Sequence, residues 1–90
     1  MARRDRREAE SYYGSRSPQA VRRFRSELRD ALDFIATYPN GAPAFDGEVR
    51  AKKVRDFPYS ILYKVVGNTI FIAAIANQHR DPNYWRDRTG

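Results

Sequence analysis

Residues 59–76 read YSILYKVVGNTIFIAAIA, and two runs rich in β-branched and aromatic side chains, 59–66 and 69–76, are separated only by Gly67 and Asn68. Glycine at the first position of a two-residue loop suits a type II′ turn, whose twist matches that of paired strands, so the stretch predicts an antiparallel hairpin. The second run is apolar at almost every position. That pattern predicts a central strand covered on both faces.

Upstream of the hairpin, residues 48–55 set Val49, Ala51 and Val54 among Arg50, Lys52, Lys53 and Arg55. The alternation breaks at Lys52-Lys53, which predicts a strand with a bulge or an irregular edge. A loop is expected through Gly41, Pro43 and Gly47. Before Pro39-Asn40-Gly41 the apolar spacing turns helical. Val21, Phe24, Leu28, Ala31, Leu32 and Ile35 recur at three-and-four intervals, with Arg22, Arg25, Arg29, Asp30 and Asp33 on the other side, which predicts an amphipathic helix over 18–37. Ser17 is placed to accept from its orphan N–H groups, and Pro18 has no N–H to lose at the first helical position. Residues 3–15, marked by Ala9, Tyr12 and Tyr13 and stopped near Gly14, predict a shorter helix before it. The expected fold class is α+β: an N-terminal helical hairpin packed on a small C-terminal antiparallel β-sheet, in one domain over residues 1–90.

Composition narrows the chemistry. Seventeen Lys+Arg against eleven Asp+Glu leave a formal charge of +6, which favours nucleic acid, a nucleoprotein particle or an acidic protein partner. The absence of cysteine removes disulfides, thiolate metal sites and a cysteine nucleophile, and one histidine, His79, cannot build a His-rich metal site. The longest apolar run, 70–76, falls far short of the ~20 residues of a membrane span, and no signal-peptide pattern follows the basic start. The expectation is a soluble, cytoplasmic protein with no membrane partner. No phosphate-cradling glycine loop, catalytic carboxylate pair or serine nucleophile motif is present, so no nucleotide or metal cofactor is expected.

Several pieces taken together resemble the RelE/ParE superfamily of small bacterial toxins from type II toxin–antitoxin systems. They are Ala9-x-x-Tyr12-Tyr13, then Phe24 through Ile35 running into Pro39 and Gly41, then Val49-Arg50. Arg55-x-Phe57-Pro58-Tyr59-Ser60-Ile61-x-Tyr63 follows, and the apolar run 70–76 leads to Arg80-Asp81-Pro82-x-Tyr84-Trp85-x-x-Arg88. The resemblance covers nearly the whole chain in the family's order. It implies a toxin silenced by an acidic, partly disordered antitoxin in a toxin–antitoxin hetero-oligomer. Two target classes go with it: ParE-like members act on DNA gyrase, and RelE-like members cleave mRNA on the ribosome. Most members open with a β-strand before the first helix, and here that N-terminal edge strand is absent from the pattern.

Metal-independent RNA cleavage needs a base or acid for the 2′-hydroxyl and cations for the charge developing on phosphate. By resemblance, Lys53 and Tyr84 match positions used by the nuclease members, whereas Ser60 stands where a strand arginine would be. Gln78 falls near a second arginine position, for which Arg80 is a substitute, and His79 stands two residues past the Asn77 position, where many members carry a histidine. If the chain is a ribonuclease, its catalytic residues are Lys53, Arg80 and Tyr84. The missing cations favour a ParE-like binding toxin, with the ribonuclease second and a non-toxic interaction module of the same fold third. The expected target-binding surface is Arg50, Lys52, Lys53 and Arg55 with Arg80, Tyr84, Arg86 and Arg88. The blander account of the same stretch is the solvent face of an amphipathic strand. For the antitoxin, the expected contacts are Tyr12, Tyr13 and Tyr38 as aromatic anchors and Arg22, Arg25 and Arg29 as carboxylate partners.

Overall fold

The structure is a computed structural model; it describes residues 2–14 and 17–77, with side chains over 5–12 and 17–77. Two helices, α1 (Ala2–Gly14) and α2 (Pro18–Thr37), precede four strands: β1 (Ala44–Asp46), β2 (Val49–Lys53), β3 (Tyr59–Val66) and β4 (Thr69–Asn77). The strands form one antiparallel sheet in the order β1-β2-β3-β4. This is the α+β arrangement expected, helical hairpin first and sheet second.

Local chemistry sets the boundaries of α2. The Ser17 side chain accepts from the backbone N–H groups of Gln19 and Ala20 at 3.2 and 3.3 Å, and Pro18 occupies the start. At the other end the Tyr38 N–H donates to Phe34 O at 2.7 Å before Pro39 stops the helix. The stripe Phe24, Leu28, Ala31 and Ile35 is buried against the sheet, where it meets Val54, Phe57, Ile61, Tyr63 and Ile75. Phe24 packs edge-on to Phe57 and Tyr59, with ring centroids 5.2 and 5.5 Å apart.

Two of the three hairpins turn on a left-handed glycine. Gly67 has φ +60 and pairs Val66 with Thr69 around it, with no positive φ at Asn68, as a type II′ turn requires. Gly47, at φ +57, does the same between Asp46 and Val49. The β1 strand lies where a continuous loop was expected. Three residues with one large apolar side chain, Phe45, are too few to show a period.

Two further expectations are corrected. The strand 69–76 is not central: β2 and β3 are the inner strands and β4 is an edge of the described sheet. Its all-apolar appearance comes from a bulge. Leu62 pairs with Ala74 but Tyr63 with Ile72, so Ala73 is an extra residue that reverses the side-chain alternation. Ile70, Ile72 and Ile75 consequently all pack with the helix-side core, while Ala73, Ala74 and Ala76 join a second cluster with Val49, Ala51 and Leu62 on the other face. The irregularity expected at Lys52-Lys53 is likewise absent. The β2–β3 register runs unbroken from Arg50–Tyr63 to Lys53–Ser60. The break in alternation instead marks a strand that serves two cores, with Val49 and Ala51 on one face and Val54 on the other.

Candidate functional site

The pleat of β2 divides its basic residues between the two faces. Arg50 and Lys52 share the helix side with their cross-strand partners Tyr63 and Ile61, and Lys53 takes the opposite side with Ser60. Arg50 is anchored: its Nη1 donates to Ala42 O at 2.8 Å. Beside it the buried Tyr63 donates its hydroxyl to Pro39 O at 2.7 Å. These two neighbours hold the loop between α2 and β1. Composition groups Arg50 with the solvent-facing cations, and only the strand register reveals its tie to that loop.

Lys52 instead faces α2, with its Nζ 4.3 Å from the centroid of the Phe34 ring, a cation–π geometry. Phe34 packs in turn on Tyr38, the centroids 5.5 Å apart and the rings inclined by 50°. Around this contact runs a groove of about 230 Å³ between α2 and β2. Glu27, Asp30, Ala31 and Phe34 line it from the helix, and Lys52, Lys53 and Arg55 line it from the strand and the turn beyond. The helix wall carries two carboxylates, and on the strand wall Lys52 holds its ammonium over the Phe34 ring. Gly41 closes in on the aromatic pair: a Cβ there would stand 3.0 Å from Tyr38 Cβ and 3.1 Å from Phe34 Cζ, so the close approach depends on glycine. Phe34 had no role in the sequence analysis. Its position one turn before Tyr38 on α2 was the available signal.

A second charged centre joins the helices. Glu10 Oε1 lies 2.9 Å from Arg6 Nε and 3.2 Å from Arg25 Nε, while Arg25 Nη2 donates to Oε2 at 3.2 Å. Partial burial pushes the Glu10 carboxyl up, but hydrogen bonds from Arg25 and Arg6 and their charge together outweigh it and hold the group below its ordinary value. Arg6, Arg7, Glu10 and Arg25 line a concavity of about 330 Å³ here.

Of the residues expected to meet an antitoxin, Tyr12 and Tyr38 are exposed, as are Arg22 and Arg29. They do not form one cluster. Tyr12 lies near the connection between the helices, and Tyr38 lies past the far end of α2, whose 20 residues span ~30 Å. Arg80, Tyr84, Arg86 and Arg88 lie outside the described residues, as do Gln78, His79, Trp85 and the side chain of Tyr13. Among the described residues, no group of three or more His, Cys, Asp or Glu is placed to hold a metal ion, and no helix is long and apolar enough to cross a membrane.

Two helices followed by a small antiparallel sheet, with a cation-rich second strand beside a helix, agree with the α+β arrangement expected from the sequence. The family described as ParE toxin of type II toxin–antitoxin system, parDE, has a sequence model that matches residues 1–82, and the chain belongs to this family. It is accordingly a toxin of a type II system, and that membership implies an antitoxin protein as partner. No curated protein and no solved structure matches the chain.

Proposed function

We propose that this toxin arrests growth by binding DNA gyrase through the α2–β2 groove, and that its antitoxin neutralises it by lying over the same groove. The toxin works in the cytoplasm as one domain over residues 1–90, in a hetero-oligomer with the antitoxin. What supports the reading is Phe34, which touches both Tyr38 and Lys52. Tyr38, an anchor assigned to the antitoxin, and Lys52, a cation assigned to the target, thus meet on one ring. An acidic amphipathic segment would bury an apolar side chain on Phe34 and Tyr38 and set its carboxylates against Lys52, Lys53 and Arg55.

Binding is favoured over RNA cleavage by the pairing of Lys53 with Ser60. By resemblance a nuclease would carry an arginine at the serine position. Losing one preorganised charge-stabilising group costs about 10²–10³ in rate. The test is DNA supercoiling by purified gyrase in the presence of the chain. Inhibition is expected, together with its loss in the Lys52→Ala, Lys53→Ala, Arg55→Ala variant at unchanged circular dichroism. Position-specific cleavage of translated mRNA, abolished by Lys53→Ala or Tyr84→Phe, would replace this reading with the ribonuclease.

A further inference from the structure

The outer face of the helical hairpin carries a charge arrangement that the groove does not use. Arg22 and Arg29 stand about one helical turn to either side of Arg25 on α2, which puts all three on one face. Arg6 and Arg7 approach that face from α1, around the concavity that Glu10 shares with Arg25. All five arginines are exposed, and Arg7, Arg22 and Arg29 take no part in the ion pairs that join Arg6, Glu10 and Arg25. Every basic residue in 1–41 is arginine.

We infer that this arginine face binds the phosphate backbone of double-stranded DNA. Three observations select that partner. Among the described residues the concavity is lined by Arg6, Arg7, Glu10 and Arg25, with no apolar side chain of theirs to anchor a folding peptide, whereas backbone binding needs only charge. None of these described residues offers an aromatic ring on which an unpaired base would stack, the usual basis of single-strand binding. The one carboxylate among these described residues, Glu10, is already held by two guanidiniums, so what the face offers a ligand is N–H donors, which suit phosphate oxygens. Arginine is also the side chain whose planar fork fits phosphate oxygens. The ion pairs with Glu10 fix the Arg6 and Arg25 heads in place, while the unpaired arginines supply the excess charge. The contact reads no sequence, because no side chain of the set is argued to reach a base edge.

The full-length chain is titrated against a fluorescently labelled 20-bp duplex DNA over a range of salt concentrations, with a duplex RNA, a single-stranded DNA and poly-glutamate as separate arms. Salt-dependent binding to duplex DNA is expected. Because each neutralised phosphate contributes about 0.9 to the log–log salt slope, the Arg7→Gln, Arg22→Gln, Arg29→Gln variant should lower that slope by about 2 to 3 and weaken binding by about tenfold or more. Lys64→Gln, on the sheet, should leave the slope unchanged. Glu10→Gln, which removes the one negative charge in the concavity, should tighten binding. An unaltered slope in the triple-arginine variant would overturn the proposal. Preferential binding of poly-glutamate would also overturn it and assign the face to an acidic protein, and preference for either of the other nucleic acids would overturn the choice of duplex DNA. Gyrase inhibition is read separately and can fail or succeed without affecting this result.

Discussion

The Asp5 carboxylate on α1 accepts a hydrogen bond from the backbone N–H of Ile75 on β4 at 2.9 Å, joining the first helix to the last described strand. Both residues are buried. β4 is an edge of the described sheet, and there the first helix meets this amide through a side chain. Asp5→Ala should therefore cost about 1–3 kcal/mol, the penalty of a buried donor left unsatisfied. Urea denaturation would measure the loss, and amide exchange at Ile75 should accelerate more than at Ile61.

The loop between α2 and β1 depends on two side chains from neighbouring strands. Arg50→Ala should destabilise by about 1–3 kcal/mol and Tyr63→Phe by about 0.5–1.5, because each removes the donor to a loop carbonyl. As the two are cross-strand partners on the same loop, the double variant should depart from additivity by at least about 0.5 kcal/mol. Chemical denaturation of the four proteins completes the cycle. A charge-removal variant meant to test toxicity should leave Arg50 in place, since its loss reports on folding.

Glu10 makes stability depend on acidity in a defined direction. Its folded-state value lies below the ordinary 4.5, so the stabilising contribution is fully present above that value and is lost as pH falls through the lower one. The effect should be small, because both guanidiniums are about half exposed. Melting temperatures of the natural chain and of Glu10→Gln should differ at neutral pH and converge by about pH 3.

Gly41 connects backbone geometry to the candidate groove. Gly41→Ala would press a methyl group against Phe34 and Tyr38, and crowding of this kind costs about 1–3 kcal/mol. If the rings move to relieve it, antitoxin affinity should fall while binding of duplex DNA at the helical face is retained. Calorimetric titration with the antitoxin, alongside the DNA titration, separates the two.

How legible the chain was can be judged at particular residues. Ser17-Pro18 and Gly67-Asn68 announce themselves because the chemistry of a cap or a tight turn is local, and the structure places both as read. The edge position of β4 was hidden, since Ala73 is small enough to act as a bulge without disturbing an apolar run. The two-residue turn at Gly47-Glu48 escaped notice because its flanking strand has only three residues. At the candidate site, the basic character of 50–55 was plain. Its division was not, because which side of the sheet each cation takes follows from pairing with β3. The bridge from Arg25 to Glu10 spans fifteen residues and depends on how two helices dock, which no local pattern encodes.

The extra residue in β4 also sets a counting rule for this strand. Six steps along it, from Thr69 to Ile75, match five along β3, from Val66 to Ile61. Deleting Ala73 would make the two counts equal and straighten the ladder, but would turn Ile70 and Ile72 away from the helices or else Ile75, because each step exchanges the two faces. Length changes on the two sides of the bulge are therefore not equivalent to one at it: a pair of residues can be added or removed without changing the odd–even match, whereas a single one cannot. Segments grafted from related toxins into this strand would need to preserve that count as well as their apolar content.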